Sequence, residues 1–107
     1  MSLDVSLKVI QPCEVYTDNI THNLTAMAEA AGIYHHLWRP DEIGITHASQ
    51  LIEPLGRAIA DLRARPDYYQ EYDPDIPWGR YDAFLDFVDL YLAACVRHPD
   101  ATVEVLR

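Results

Sequence analysis

Residues 3–9 alternate cleanly, with Leu3, Val5, Leu7 and Val9 on one side and Asp4, Ser6 and Lys8 on the other. A period of two predicts a strand with one buried and one wetted face. The C-terminus repeats the pattern less neatly: Val103 and Val105 stand against Thr102 and Glu104, while Leu106 falls on the polar side. Two half-wetted strands at opposite ends of a short chain are most simply placed side by side in one sheet. Gln11-Pro12 breaks the first strand, and Glu14 to Tyr16 adds a short third one after a turn.

Between the terminal strands the apolar period changes to that of a helix. Thr17 or Asp18 is placed to cap a helix running to about Ala31, with Ile20, Leu24, Met27, Ala28 and Ala31 on one face and Gly32 as a left-handed stop. A helical turn over Tyr34 to Trp38 ends ahead of Pro40, because the residue before proline avoids helical angles. Thr46 caps the next helix, whose stripe is Ala48, Leu51, Ile52, Leu55, Ile59 and Leu62. Pro54 inside that stripe predicts a kink or break near Gln50–Glu53, and Pro66 closes the segment. The proline-rich stretch 66–79 reads as one loose helical turn and a stiff loop. The last helix buries Tyr81, Phe84, Leu85, Val88, Leu92 and Cys95, with Asp82, Asp86 and Asp89 opposite. Pro99-Asp100 turns the chain into the final strand. The expected fold class is α+β: a two- or three-stranded sheet from the N- and C-terminal strands, packed against three to four helices in one compact domain over 1–107.

A chain of 107 residues, half apolar and 23% charged, has the profile of a folded protein, and at this length it buries roughly 60–65% of its unfolded surface. No apolar run approaches the roughly 18 residues of a membrane span, and no charged-then-apolar leader opens the chain. A soluble, cytoplasmic protein without membrane association is therefore expected. Cys13 and Cys95 make neither a disulfide framework nor a Cys-x-x-Cys zinc pair and read as reduced thiols.

Net charge is −9, unevenly spread: residues 67–90 carry seven acids against Arg80 alone. Such a chain repels phosphate backbones, so direct nucleic-acid binding is not expected. A protein with a basic surface is the natural partner if the acid serves recognition; otherwise it forms a solvated face.

Candidate chemistry concentrates between Asn19 and His47, which holds four of the five histidines. Asn19, His22 and Asn23, early in the expected first helix, together with His35, His36, Trp38 and Arg39, are the candidate ligand-binding residues, suited to a small anion. The plain reading has the stronger claim: Asn19, His22 and Asn23 satisfy helix-end backbone groups, Trp38 fills the core, and Arg39 bridges to Asp41 or Glu42. Adjacent His35 and His36 diverge on a helix, and no His-x-x-x-His pair supports a metal, so neither metal nor cofactor is expected. Asp73-Pro74-Asp75 lacks the rest of a calcium loop. None of Ser2, Ser6 and Ser49 lies in a Gly-x-Ser-x-Gly turn, and no phosphate-cradling glycine loop exists, so no catalytic residue is assigned. Tyr68, Tyr69, Tyr72 and Trp78, beside Asp73, Asp75, Asp82 and Asp86, form the candidate protein interface, aromatic anchors with an acidic rim. The alternative is that these aromatics lid the core.

Asn19-Ile20-Thr21-His22-Asn23-Leu24, Ala31-Gly32-Ile33-Tyr34, Leu37-Trp38-Arg39-Pro40 and Glu42-Ile43-Gly44-Ile45 resemble a family of short tailed-phage and prophage proteins. The similarity extends to Trp78-Gly79, Tyr91-Leu92-Ala93-Ala94-Cys95 and the closing strand. The resemblance implies a phage-derived accessory protein in a bacterial host cell, and it implies no mechanism. The combined expectation is a small, acidic, non-catalytic binding protein acting on a host or phage protein, for instance by interfering with host defence or regulation. Two alternatives stand beside it. One is a small-anion or nucleotide-binding protein, with or without hydrolysis, using the His/Asn/Arg residues. The other is a minor structural or assembly protein that forms a homodimer through an open sheet edge.

Overall fold

The computed structural model describes residues 2–8, 14–74 and 80–107. Three strands, β1 (Ser2–Lys8), β2 (Glu14–Thr21) and β3 (Thr102–Leu106), form an antiparallel sheet in the order β2-β1-β3. The helices of the described residues are α1 (Thr25–Ala30), α2 (Tyr34–Trp38), α3 (Ile52–Ala64), α4 (Pro66–Gln70) and α5 (Tyr81–Arg97), with 3-10 turns at His22–Leu24, Pro40–Ile43 and Ala48–Leu51. The architecture is α+β, and both chain ends enter the sheet.

The alternation of β1 sets the geometry. Leu3, Val5 and Leu7 are fully buried, while Asp4 on the other face is exposed. Antiparallel partners share a face, so Ile20, Asp18 and Tyr16 of β2, opposite Leu3, Val5 and Leu7, point inward, and so do Val105 and Val103 of β3. The outer face carries Asp4, Ser6 and Lys8, and Lys8 Nζ lies 2.9 Å from Glu104 Oε1.

The expected helix from Thr17 or Asp18 to Ala31 is corrected: the chain stays extended to Thr21, and helix proper starts only at Thr25. Val15, Tyr16, Thr17, Ile20 and Thr21 are β-branched or aromatic, and β1 supplies the backbone hydrogen bonds that a cap would otherwise have to provide. Leu24, Met27 and Ala28 are buried as expected, and Gly32 ends the segment at φ +78°.

Helix α2 matches its expected limits. The cap of the next segment does not: His47, not Thr46, precedes the Ala48–Leu51 turn in extended conformation. Gln50 reaches back, its Oε1 accepting from Thr46 N–H at 2.7 Å and His47 N–H at 2.9 Å. The turn's own free amides find distant partners: Ala48 N–H donates to Ala101 O and Ser49 N–H to Pro99 O, both at 2.9 Å. Thr46 O in turn accepts from Val103 N–H at 2.9 Å, so the entry to α3 is fastened to the entry of β3. The expected break near Gln50–Glu53 is the change from 3-10 to α geometry between Leu51 and Ile52. Pro54 then sits in the first turn of α3, where its missing N–H removes no helical bond.

Helix α5 packs mainly on α3 and also on β2. Its buried side chains are Tyr81, Phe84, Phe87, Val88, Tyr91, Ala94 and Cys95, an arc centred near Tyr91. Leu85 and Leu92, expected on the buried face, are half-buried at its margin. Tyr91 stacks on Tyr16 of β2 with ring centroids 6.0 Å apart, and Tyr81 Oη donates to Leu62 O at 2.6 Å, satisfying a carbonyl at the end of α3. Burial pushes the Cys95 thiol up to about 12, so it stays protonated and acts as a small core residue. Cys13 lies outside the described residues.

Two stability outcomes follow from this arrangement. Leu7→Ala should cost about 3 kcal/mol in urea unfolding, because the central strand cannot move to fill the void. Gly32→Ala should cost about 1 kcal/mol, since space is open around its Cβ position and only the left-handed backbone opposes the change.

Candidate functional site

The seven candidate ligand-binding residues do not line one cavity. Asn19 pairs with Asp4 and therefore lies on the outer face of the sheet, opposite the core. His22 and Asn23 belong to a three-residue 3-10 turn ahead of the six-residue α1 and not to the start of a long helix. Asn23 Oδ1 accepts from the Thr21 hydroxyl, a bond between side chains, and no side chain caps the backbone of that turn.

Trp38 is buried, with Tyr34 stacked on it at 5.7 Å and the His22 ring edge-on at 6.2 Å. His22 Nε2 and Trp38 Nε1 are both shielded from solvent without a protein partner. Trp38 thus fills the core beneath α1. Arg39 is occupied locally: its Nε donates to Tyr34 Oη at 3.1 Å and its Nη1 to Glu42 Oε2 at 3.0 Å. Arg107 fastens the chain end to the same corner, with Nη1 2.9 Å from Trp38 O and 3.4 Å from Asp41 Oδ1.

His35 and His36 diverge from adjacent positions as expected, His35 being exposed and edge-on to Tyr34. His36 turns toward α3. It stands between two neighbouring clefts that share Gly32 and His36. One, of about 320 Å³, is lined by Glu29, Tyr34, His35 and Ile43. The other, of about 400 Å³, lies between the α1–α2 corner and α3, with Ile33, Pro54, Arg57, Ala58, Asp61 and Tyr69 in its wall. His36 Nδ1 is buried without a partner, and burial, then the Arg57 and His35 charges, lower the imidazole pKa from its ordinary value.

The charges of the larger cleft are unequal in their commitments. Asp61 is held by Arg65, whose Nε and Nη2 donate at 3.0 and 2.6 Å, and by the Tyr69 hydroxyl. Those hydrogen bonds keep the Asp61 carboxyl below its usual range, and burial with the Asp61 contact pushes Tyr69 up to about 12. Arg57, exposed on α3, has no ion-pair partner among the described residues. Arg57, Ala58 and Asp61 are absent from the sequence-based candidates, and Pro54 figures there only as a helix breaker. Glu53 and Asp61 flank Arg57 at i−4 and i+4, a spacing that reads as routine helix pairing. Asp61 instead pairs forward with Arg65, which leaves Arg57 over.

The tyrosine and acid candidates divide. Tyr69 is buried at 1% exposure and lids the core. Tyr68 and Tyr72 remain partly exposed, with hydroxyls 3.3 Å apart, and the Arg65 guanidinium lies 4.4 Å from the Tyr68 ring centre. Asp73 is structural: its Oδ1 accepts from Tyr81 N–H at 2.7 Å at the start of α5, and Arg80 lies 3.7 Å from Oδ2. Asp82 and Asp86 are exposed on the outer side of α5. Asp75 and Trp78 lie outside the described residues.

Among the described residues no three metal-ligating side chains converge, so His22, His47 and the His35–His36 pair do not assemble. No helix among them is long and apolar enough to cross a membrane. Comparison with protein-family models, curated proteins and solved structures gives no match.

The raised Tyr69 pKa carries a sign that can be checked. Above the ordinary phenol value of 10.0 the unfolded chain loses this proton first, so Tyr69 stabilises the fold fully below that pH and progressively less toward about 12. In urea unfolding from pH about 8 to pH about 11, Tyr69→Phe should lose stability less steeply than the parent.

Proposed function

We propose that the protein is a small, acidic, non-catalytic binding protein that docks a basic surface of a partner protein through the outer face of α5. One observation carries this reading. Asp82, Asp86 and Asp89 line the first half of that face, and Leu90 and Val96, at 56% and 57% exposure, continue it in the second half. Only Asp89 of the three acids has an ion pair among the described residues, with Arg63 at 3.3 Å. A run of uncompensated carboxylates repels itself and is relieved by a cationic partner. Apolar side chains beside it supply the dry contact that charge alone does not. Tyr68, on the α4 helix that packs against α5, and Tyr72, just beyond its end, offer further aromatic surface.

The resemblance to tailed-phage and prophage proteins supports an accessory role in the bacterial host cytoplasm, with a host defence or regulatory factor as the partner class. Nothing in this reading requires bond-making chemistry.

The test is capture by immobilised protein from bacterial lysate. The Asp82→Lys/Asp86→Lys double variant should keep the parent's circular dichroism and lose the captured protein, and raised salt should weaken capture by the parent. Equal capture by parent and variant would discard the acidic-face reading.

A further inference from the structure

We propose that the cleft between the α1–α2 corner and α3 is a binding site for a small organic anion, a compact apolar body bearing one carboxylate or phosphate group. The site is distinct from the α5 face and does not depend on it. Its volume of about 400 Å³ lies within the range of small-molecule pockets and holds a ligand the size of a substituted single ring. Ala30, Ile33, Pro54 and Ala58 supply apolar lining, and His36, Arg57 and Asp61 supply the polar and charged lining.

The sign of the ligand follows from which charges are already committed. The Asp61 carboxylate is neutralised by the two-pronged contact with Arg65 and by the Tyr69 hydroxyl. Arg57 faces the same space with no ion-pair partner among the described residues, so the uncompensated charge of the cleft is positive. In a protein of net charge −9, this leaves a local cation beside apolar lining. A guanidinium holds carboxylate or phosphate oxygens through paired N–H donors. His36 borders the same space and adds a second cation when protonated, which an anion bound next to it favours. Gly32 keeps the corner open: its φ of +78° turns the chain sharply, and it presents no side chain to the cleft that it shares with His36.

The test titrates the whole protein with benzoate, phenyl phosphate and, as a neutral body of similar size, benzyl alcohol, while following backbone amide shifts by NMR. Benzoate or phenyl phosphate should move the amides of Gly32, Ile33, Arg57 and Ala58 in a saturable way, and benzyl alcohol should move them far less. Whichever anion binds more tightly identifies the head group as carboxylate or phosphate. Arg57→Gln should weaken anion binding about tenfold or more, whereas Arg97→Gln, on the exposed side of α5, should leave it unchanged. Because Arg57 is exposed, its replacement should leave the circular dichroism unaltered. Equal response to benzyl alcohol, undiminished affinity in Arg57→Gln, or no saturable shift with either anion would overturn the assignment.

Discussion

The fold depends on burying one row of three side chains, Leu3, Val5 and Leu7, in the middle of its sheet. β1 is the only strand of the three that pairs on both edges, so its register fixes which face of β2 and β3 turns inward. A slip of one residue would send Asp4 and Ser6 into the core and the apolar row into water. The inward row then receives α5 through the Tyr16–Tyr91 stack, and α5 in turn holds α3. Fastening of Ala48 and Ser49 amides to the carbonyls ahead of β3 closes the circuit, tying the middle of the chain to its end.

β1, β3, α2 and the acidic side of α5 were legible in the sequence: β1 from its clean alternation, β3 from a looser one, α2 from the proline that ends it, and α5 from its spaced acids. β2 differs from its expected helix in part because its inward row sets a half-buried acid, Asp18, between Tyr16 and Ile20. The spacing from Ile20 to Leu24 also fits one turn of a helix. Pairing with β1 decides the matter, and pairing is non-local. The centre of the α5 stripe was displaced for a related reason. Phe87, Tyr91 and Ala94 belong to the same broad apolar arc as Leu85 and Leu92, and only the position of α3 and β2 selects the buried part.

The candidate sites show where residue type fails as a guide. Four histidines, a tryptophan and an arginine lie close in sequence, yet the sheet sends Asn19 outward, the core absorbs Trp38, and Tyr34 and Glu42 occupy Arg39. His35 and His36 of that cluster remain at cleft surfaces, and the neighbours of His36 across the larger cleft come from α3 and α4. The selection of Arg57 rests on Asp61 choosing Arg65, a competition between two i±4 partners that sequence spacing leaves open. Two features of opposite sign result: an acidic helix face on α5, and a small cleft whose uncommitted charge is the Arg57 guanidinium.

Amide hydrogen exchange tests the central claim most directly. If the β1 row organises the fold, the β1 amides and the β3 amides bonded to them should exchange only through global unfolding, at the same free energy as the α5 core. Exchange of β3 amides at the rate of a free peptide while α5 stays protected would show that the two chain ends are not joined in one sheet, and would contradict the account.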